Sequence, residues 1–123
     1  MTQCYYSSMT KRSAYQDTIY ALSTGWGKSA ISVVRVSGPN ACDALSLTKS
    51  TKSLEPRKVH YRTLYDIHSR SKDDAIDRGL LLYFAKPKSF TGEDMIEFHI
   101  HGGLAVKSRL LDTLSKFESF REA

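Results

Sequence analysis

Arg35 is the one charge in the stretch Ala30–Ser37, and Glu97 is the one acid in Met95–His101. A charge in a strand is expensive to bury without a partner. A guanidinium offers a planar fork that meets a carboxylate or a polar heterocycle with two bonds. A carboxylate accepts two N–H donors in the same way, from a guanidinium or from the amino-oxo edge of a pyrimidine-type ring. If the two strands are neighbours, Arg35 and Glu97 form either an ion pair or the two jaws of a ligand site. A third reading leaves Arg35 facing solvent. The residues alone do not choose among these.

Other constellations are weaker. His99 and His101 have i, i+2 spacing and share a strand face with Glu97, as two zinc ligands would. No third ligand is in view, and Cys4 and Cys42 are far apart, so no metal site is expected. Gly27-Lys28-Ser29 resembles the end of a phosphate loop, but position 22 is Leu22 where that loop needs glycine, and a strand follows where it needs a helix. Arg78-Gly79-Leu80-Leu81-Leu82-Tyr83-Phe84 faintly matches an RNA-recognition strand, with Leu80 and Leu82 where bases would need aromatics. His101-Gly102-Gly103 suggests an oxyanion loop, yet no Gly-x-Ser-x-Gly nucleophile exists. No residue is assigned a catalytic role.

The elements that must position these residues follow from pattern. Asp17–Leu22 and Ala30–Ser37 read as strands. Gly38-Pro39-Asn40 stops the second, and Ala41–Leu47 reads as a short helix. Lys49–Lys58 is a polar loop, and Val59–Ile67 a strand. Ser69–Asp77 is a charged turn. Leu80–Ala85 is so apolar that a central strand buried on both faces is expected. Met95–His101 alternates, as a half-buried strand does, and Leu104–Phe120 has the spacing of an amphipathic helix. The order is β-β-α-β-β-β-α: an α+β fold with one mixed, mostly antiparallel sheet and helices packed on it.

Composition agrees with one domain. In 123 residues, 41% are hydrophobic and 25% charged, and area scaling lets about two thirds of the surface be buried. No run approaches the ~18 apolar residues of a membrane span. Two cysteines cannot make a disulfide scaffold. The net charge is +5. Residues 1–16 hold Lys11, Arg12, several Ser and Thr and no acid. They are expected to be a disordered leader and mitochondrial transit peptide, with residues 17–123 forming the domain. The basic stretch Lys49, Lys52, Arg57, Lys58, Arg62 reads either as a solvated loop or as a contact to RNA phosphates.

Several blocks occur in order: Asp17–Thr24, Val34-Arg35-Val36-Ser37-Gly38-Pro39, Ser89-Phe90-Thr91-Gly92-Glu93-Asp94, Glu97, and His101-Gly102-Gly103. Together they resemble the N-terminal domain of the MnmE/TrmE family of tRNA-modification GTPases. The resemblance covers about residues 17–120. Ser23–Ser29 departs from it, with Gly25, Trp26 and Lys28 where the family often has proline and further glycine.

The resemblance implies a tetrahydrofolate-binding-domain-like fold and a constitutive homodimer. It implies that 5-formyl- or 5,10-methylenetetrahydrofolate is bound as a one-carbon carrier, with Arg35 and Glu97 contacting the folate. It further implies that the full-length protein continues into helical and GTPase domains. GTP, magnesium and potassium then belong to the GTPase domain, and this part alone is not an enzyme. The whole works with an FAD-containing MnmG/GidA-like partner to modify the wobble uridine of tRNA at carbon 5, in the mitochondrial matrix or otherwise the cytoplasm. Two alternatives remain: a basic RNA-binding module, suggested by an isoelectric point near 9.3, and a structural dimerisation domain without a working folate site.

Overall fold

A computed structural model describes residues 17–23, 30–50, 52–71, 73–89 and 91–123. The leader 1–16 and most of the loop holding Gly27-Lys28-Ser29 lie outside the described residues. Among the described residues, six strands form one mixed sheet: β1 (Thr18–Leu22), β2 (Ile31–Ser37), β3 (Val59–Tyr65), β4 (Ala75–Phe84), β5 (Met95–His101) and β6 (Phe120–Glu122). Their spatial order is β3-β4-β5-β2-β1-β6. All pairings are antiparallel except β1 with β6. A 3₁₀ helix (Ala41–Thr48) and helix α1 (Leu104–Ser115) pack on the sheet. The α+β class expected from the pattern is the observed one.

Register sorts the strand residues onto two faces. Val34 stands opposite Phe98, which stands opposite Leu81; Val36, Ile96 and Tyr83 form the next row. These side chains are buried in one cluster with Leu45 and Leu47 of the 3₁₀ helix and Leu110, Leu111 and Leu114 of α1. Both helices therefore cover the same face. The next rows point the other way: Arg35, Glu97 and Leu82, then Val33, His99, Leu80 and Tyr61. On that face Ile31, Val59, Tyr61 and Leu80 stay exposed.

Three expectations are corrected. The stretch Leu80–Ala85 is not a strand buried on both faces. The strand starts at Ala75, inside the expected turn, and alternates: Leu81 and Tyr83 reach the core while Leu80 is 38% exposed. An apolar run does not reveal whether a second layer covers it, and among the described residues none does. The helix Leu104–Phe120 stops at Ser115. Phe120–Glu122 adds a sixth strand beside β1, with Phe120 stacked on Phe117 at 4.5 Å and buried in the core. Finally, Ala41–Thr48 is 3₁₀ rather than α. Ala41, Ala44 and Leu47, spaced by three, are all fully buried, and three residues per turn puts them in line.

Turns bring the strand ends into place. Gly38 has φ +145°, and a Cβ there would lie 2.5 Å from the Thr18 Cα. The backbone N–H of Asn40 donates to Thr18 Oγ1 at 2.8 Å. The loop ending in Asp94 is tied back as well. Gly38 N–H donates to the Asp94 carbonyl at 3.0 Å, Lys86 N–H donates to Asp94 Oδ1 at 3.0 Å, and the hydroxyls of Ser37 and Thr91 meet at 2.6 Å.

Candidate functional site

Arg35 and Glu97 face each other across the β2–β5 ladder. Arg35 Nε donates to Glu97 Oε2 at 2.6 Å. The other carboxylate oxygen, Oε1, lies 3.0 Å from His99 Nε2. Glu97 is nearly buried, at 11% side-chain exposure, and Arg35 is half-exposed at 45%. Burial by itself would raise the Glu97 pKa. The bonds from His99 and Arg35 outweigh it and hold the carboxyl below its ordinary range. The result is an ionised carboxylate in a sheet face, satisfied from two sides.

Of the readings left open for Arg35 and Glu97, the ion pair is formed. It does not exhaust the carboxylate, since each ionised oxygen accepts more than one bond. His99, considered only as a metal ligand from sequence, proves to be the third member of the cluster. Its two-residue offset from Glu97 placed it on the correct face. His101 is drawn elsewhere: its Nδ1 lies 2.8 Å from Asp77 Oδ1, and its backbone N–H donates to Asp77 Oδ2 at 2.8 Å. The two histidines therefore have separate carboxylate partners. Among the described residues, no group of three His, Cys, Asp or Glu side chains is placed to hold a metal ion.

Beside the cluster, a concavity of about 310 Å³ opens on the uncovered face. His99 lines it together with Ile31, Tyr61, Arg78, Leu80 and His101. Its size is at the lower end of small-molecule sites, roughly 300–1,000 Å³. The Arg78 guanidinium sits 4.7 Å from the Tyr61 ring centroid, a cation–π geometry that keeps both side chains on this face. Gly79 forms part of the floor, and a Cβ there would come within 2.5 Å of the His99 carbonyl oxygen. Of the cluster, His99 is the member in its lining; apolar walls, an aromatic ring and an imidazole bonded to Glu97 suit a flat heterocycle with hydrogen-bonding edges.

The basic stretch divides by partner. Arg62 donates to the carbonyls of Lys52 and Ser53, Arg57 to the Lys88 carbonyl, and Lys58 pairs with Glu55. In the strand Arg78–Phe84, Leu80 and Leu82 stand on the open face where stacking aromatics would be needed, Tyr83 is buried in the core and Phe84 is half-buried.

The model of the family described as GTP-binding protein TrmE N-terminus matches residues 18–123. The chain is 50% identical over 108 residues to the mitochondrial 5-taurinomethyluridine-[tRNA] synthase subunit GTPB3 of Danio rerio, a match covering 87% of this chain and 21% of that protein. It is 46% identical over 109 residues to the tRNA modification GTPase MnmE of Anaplasma phagocytophilum, covering 89% of this chain and 23% of that protein. It is 40% identical over 114 residues to the mitochondrial tRNA modification GTPase gtpbp3 of Dictyostelium discoideum, covering 90% and 22%. The chain thus spans under a quarter of the length of these relatives. With the family matched from the first residue of β1 to the last of the chain, this protein belongs to the GTP-binding protein TrmE N-terminus family.

Proposed function

We propose that this domain binds a one-carbon tetrahydrofolate, 5-formyl- or 5,10-methylenetetrahydrofolate, at Arg35 and Glu97. We propose further that it pairs with a second copy of itself. The observation that carries the folate reading is the Arg35–Glu97–His99 cluster, whose His99 lines an apolar concavity on the sheet face that neither described helix covers. A pterin ring presents N–H donors along one edge, and Glu97 is an ionised acceptor already held in position. Arg35 and His99 fix the carboxylate before the ligand arrives, which lowers the ordering cost of binding. Exposed Ile31, Val59, Tyr61 and Leu80 on the same face provide apolar surface for a second subunit.

In the full-length protein this domain serves modification of the wobble uridine of tRNAs at carbon 5. GTP, magnesium and potassium belong, in this reading, to a GTPase domain outside these 123 residues. An FAD-containing MnmG/GidA-like protein is the partner. The names of the relatives support tRNA as the substrate class, and two of them carry the word mitochondrial, which supports that organelle as the location; within it the matrix is the compartment we propose. The acid-free residues 1–16 are proposed as the targeting leader.

Calorimetric titration with 5-formyltetrahydrofolate, on the domain and on the full-length protein, tests the folate reading. Saturable binding that weakens in Glu97→Gln is the expected result. A full-length protein that binds no reduced folate overturns it. Sedimentation of the domain is expected to give twice 13.9 kDa, and a monomer in both domain and full-length protein removes the dimer.

A further inference from the structure

Formal charge is concentrated in one part of the chain. Residues 49–72 hold seven Lys or Arg and two Asp or Glu, so this segment carries the +5 of the whole sequence. The described residues of this segment lie along one border, because β3 is an edge strand and they are β3 with the loops on either side. Cations on an edge strand can serve only to block pairing with another sheet. That accounts for Arg57 and Arg62, whose guanidinium groups also tie down backbone carbonyls. It does not account for Lys49 and Arg70.

Those two residues line a notch of about 190 Å³ together with Tyr65, Ser69 and Ser71. Lys49 follows the 3₁₀ helix in the left-handed conformation, φ 56°, and its Nζ donates to the Ile67 carbonyl at a long 3.3 Å. Arg70 is exposed and makes no hydrogen bond or ion pair among the described residues. Asp66, the acid next to the notch in sequence, is already engaged: its carboxylate accepts the His68 N–H at 2.9 Å and Lys116 Nζ at 2.9 Å. Asp73 lies on the other side, and its backbone N–H donates to Ser71 Oγ at 3.1 Å. At ~30 Å³ per water, the notch has room for about six waters. That is the scale of one planar ring, below the roughly 300 Å³ where drug-sized sites begin. An aromatic wall with two cations and two hydroxyls matches a nucleotide: a base to stack on the ring, a phosphate for the cations.

We propose that this notch holds one unpaired RNA nucleotide, its base against Tyr65 and its phosphate on Lys49 and Arg70. The rest of the β3 edge carries the neighbouring phosphates. The choice of RNA rests on the reading that the full-length protein acts on tRNA. Unpaired rather than duplex RNA follows from the notch, since only an unstacked base can enter it.

The test is fluorescence anisotropy on the full-length protein with a tRNA transcript, a single-stranded oligoribonucleotide, a blunt RNA duplex and polyglutamate. Lys49→Gln combined with Arg70→Gln is expected to weaken single-strand binding about 10-fold or more and to lower the salt slope by about 1–2. Tyr65→Leu is expected to weaken it about fivefold or more with the salt slope unchanged. Arg121→Gln removes a charge at the opposite edge, where Arg121 pairs with Asp17, and is expected to change binding less than about twofold. A loss per charge removed in Arg121→Gln equal to that in the Lys49→Gln, Arg70→Gln double variant overturns the site in favour of general charge. Equal losses on polyglutamate overturn it in favour of an acidic peptide surface. Melting temperatures of the variants within about 2 °C of wild type exclude unfolding as the cause. Folate titration of the same variants separates the two readings. Intact tRNA binding in all variants removes the notch alone, and failure of wild type to bind tRNA removes the tRNA reading and the notch with it.

Discussion

Arg35 and Glu97 stand directly opposite each other in the β2–β5 register and close a 2.6 Å contact between Nε and Oε2, although 62 positions separate them in the chain. The pair sits on the sheet face away from both helices. Its position on the uncovered face makes it reachable by a ligand as well as useful to the sheet. The two roles predict different measurements.

Replacing Glu97 with Gln keeps the shape, removes the charge and turns one acceptor into a donor facing the donors of a pterin. Folate affinity is expected to fall about 10- to 100-fold, or ~1.4–2.7 kcal/mol, and Arg35→Ala is expected to weaken it comparably. The stability coupling between the two residues in a double-mutant cycle should stay near ~0.5–1 kcal/mol, because Arg35 is 45% exposed and partly screened. Lower melting temperatures with unmoved folate affinity would make the pair purely structural.

The same carboxylate predicts a pH dependence. The folded pKa of Glu97 lies below its ordinary value of 4.5. Its stabilisation is therefore complete above the unfolded value and is lost as pH falls through the folded one. In urea melts at stepped pH, the stability difference between wild type and Glu97→Gln should be constant from neutral pH down to about pH 5.5 and shrink below about pH 4.5. A difference that grows toward acid would contradict the assignment.

Gly79 tests how the concavity is built. A methyl group there meets the His99 carbonyl oxygen at 2.5 Å, and backbone cannot step aside as a flexible side chain can. Gly79→Ala is expected to cost about 1–3 kcal/mol and to weaken folate binding through the displaced His99. A variant with wild-type melting temperature and affinity would show that β4 and β5 do not approach this closely.

Phe120 tests the sixth strand. It is buried against Phe117 and the core, with its strand paired parallel to β1. Phe120→Ala is expected to cost about 3 kcal/mol, a melting shift of roughly 10 °C seen by calorimetry, while Arg121→Ala in the same strand shifts it little. Equal small shifts in both would mean that β6 contributes nothing to the core.

Much of this architecture was legible along the chain. Alternation in Met95–His101 and the β-branched run before Gly38 specify strands, because side chains two apart share a face whatever lies across from them. The motif from Ser89 to Asp94, with Glu97 and His101-Gly102-Gly103 after it, identified the family and nominated Arg35 and Glu97. Other features belong to the tertiary structure. Whether Leu80 is buried depended on a second layer over that face, and none of the described residues supplies one. Phe120–Glu122 is too short for a periodic signal and becomes a strand only because β1 lies alongside. The partner of His101 depended on register: its bond to Asp77 needs β4 beside β5, whereas the bond of His99 to Glu97 lies within one strand. Periodicity is a property of neighbours along the chain and survives in the sequence. Pairing across dozens of residues is set by how the strands dock, and that only the packed sheet decides.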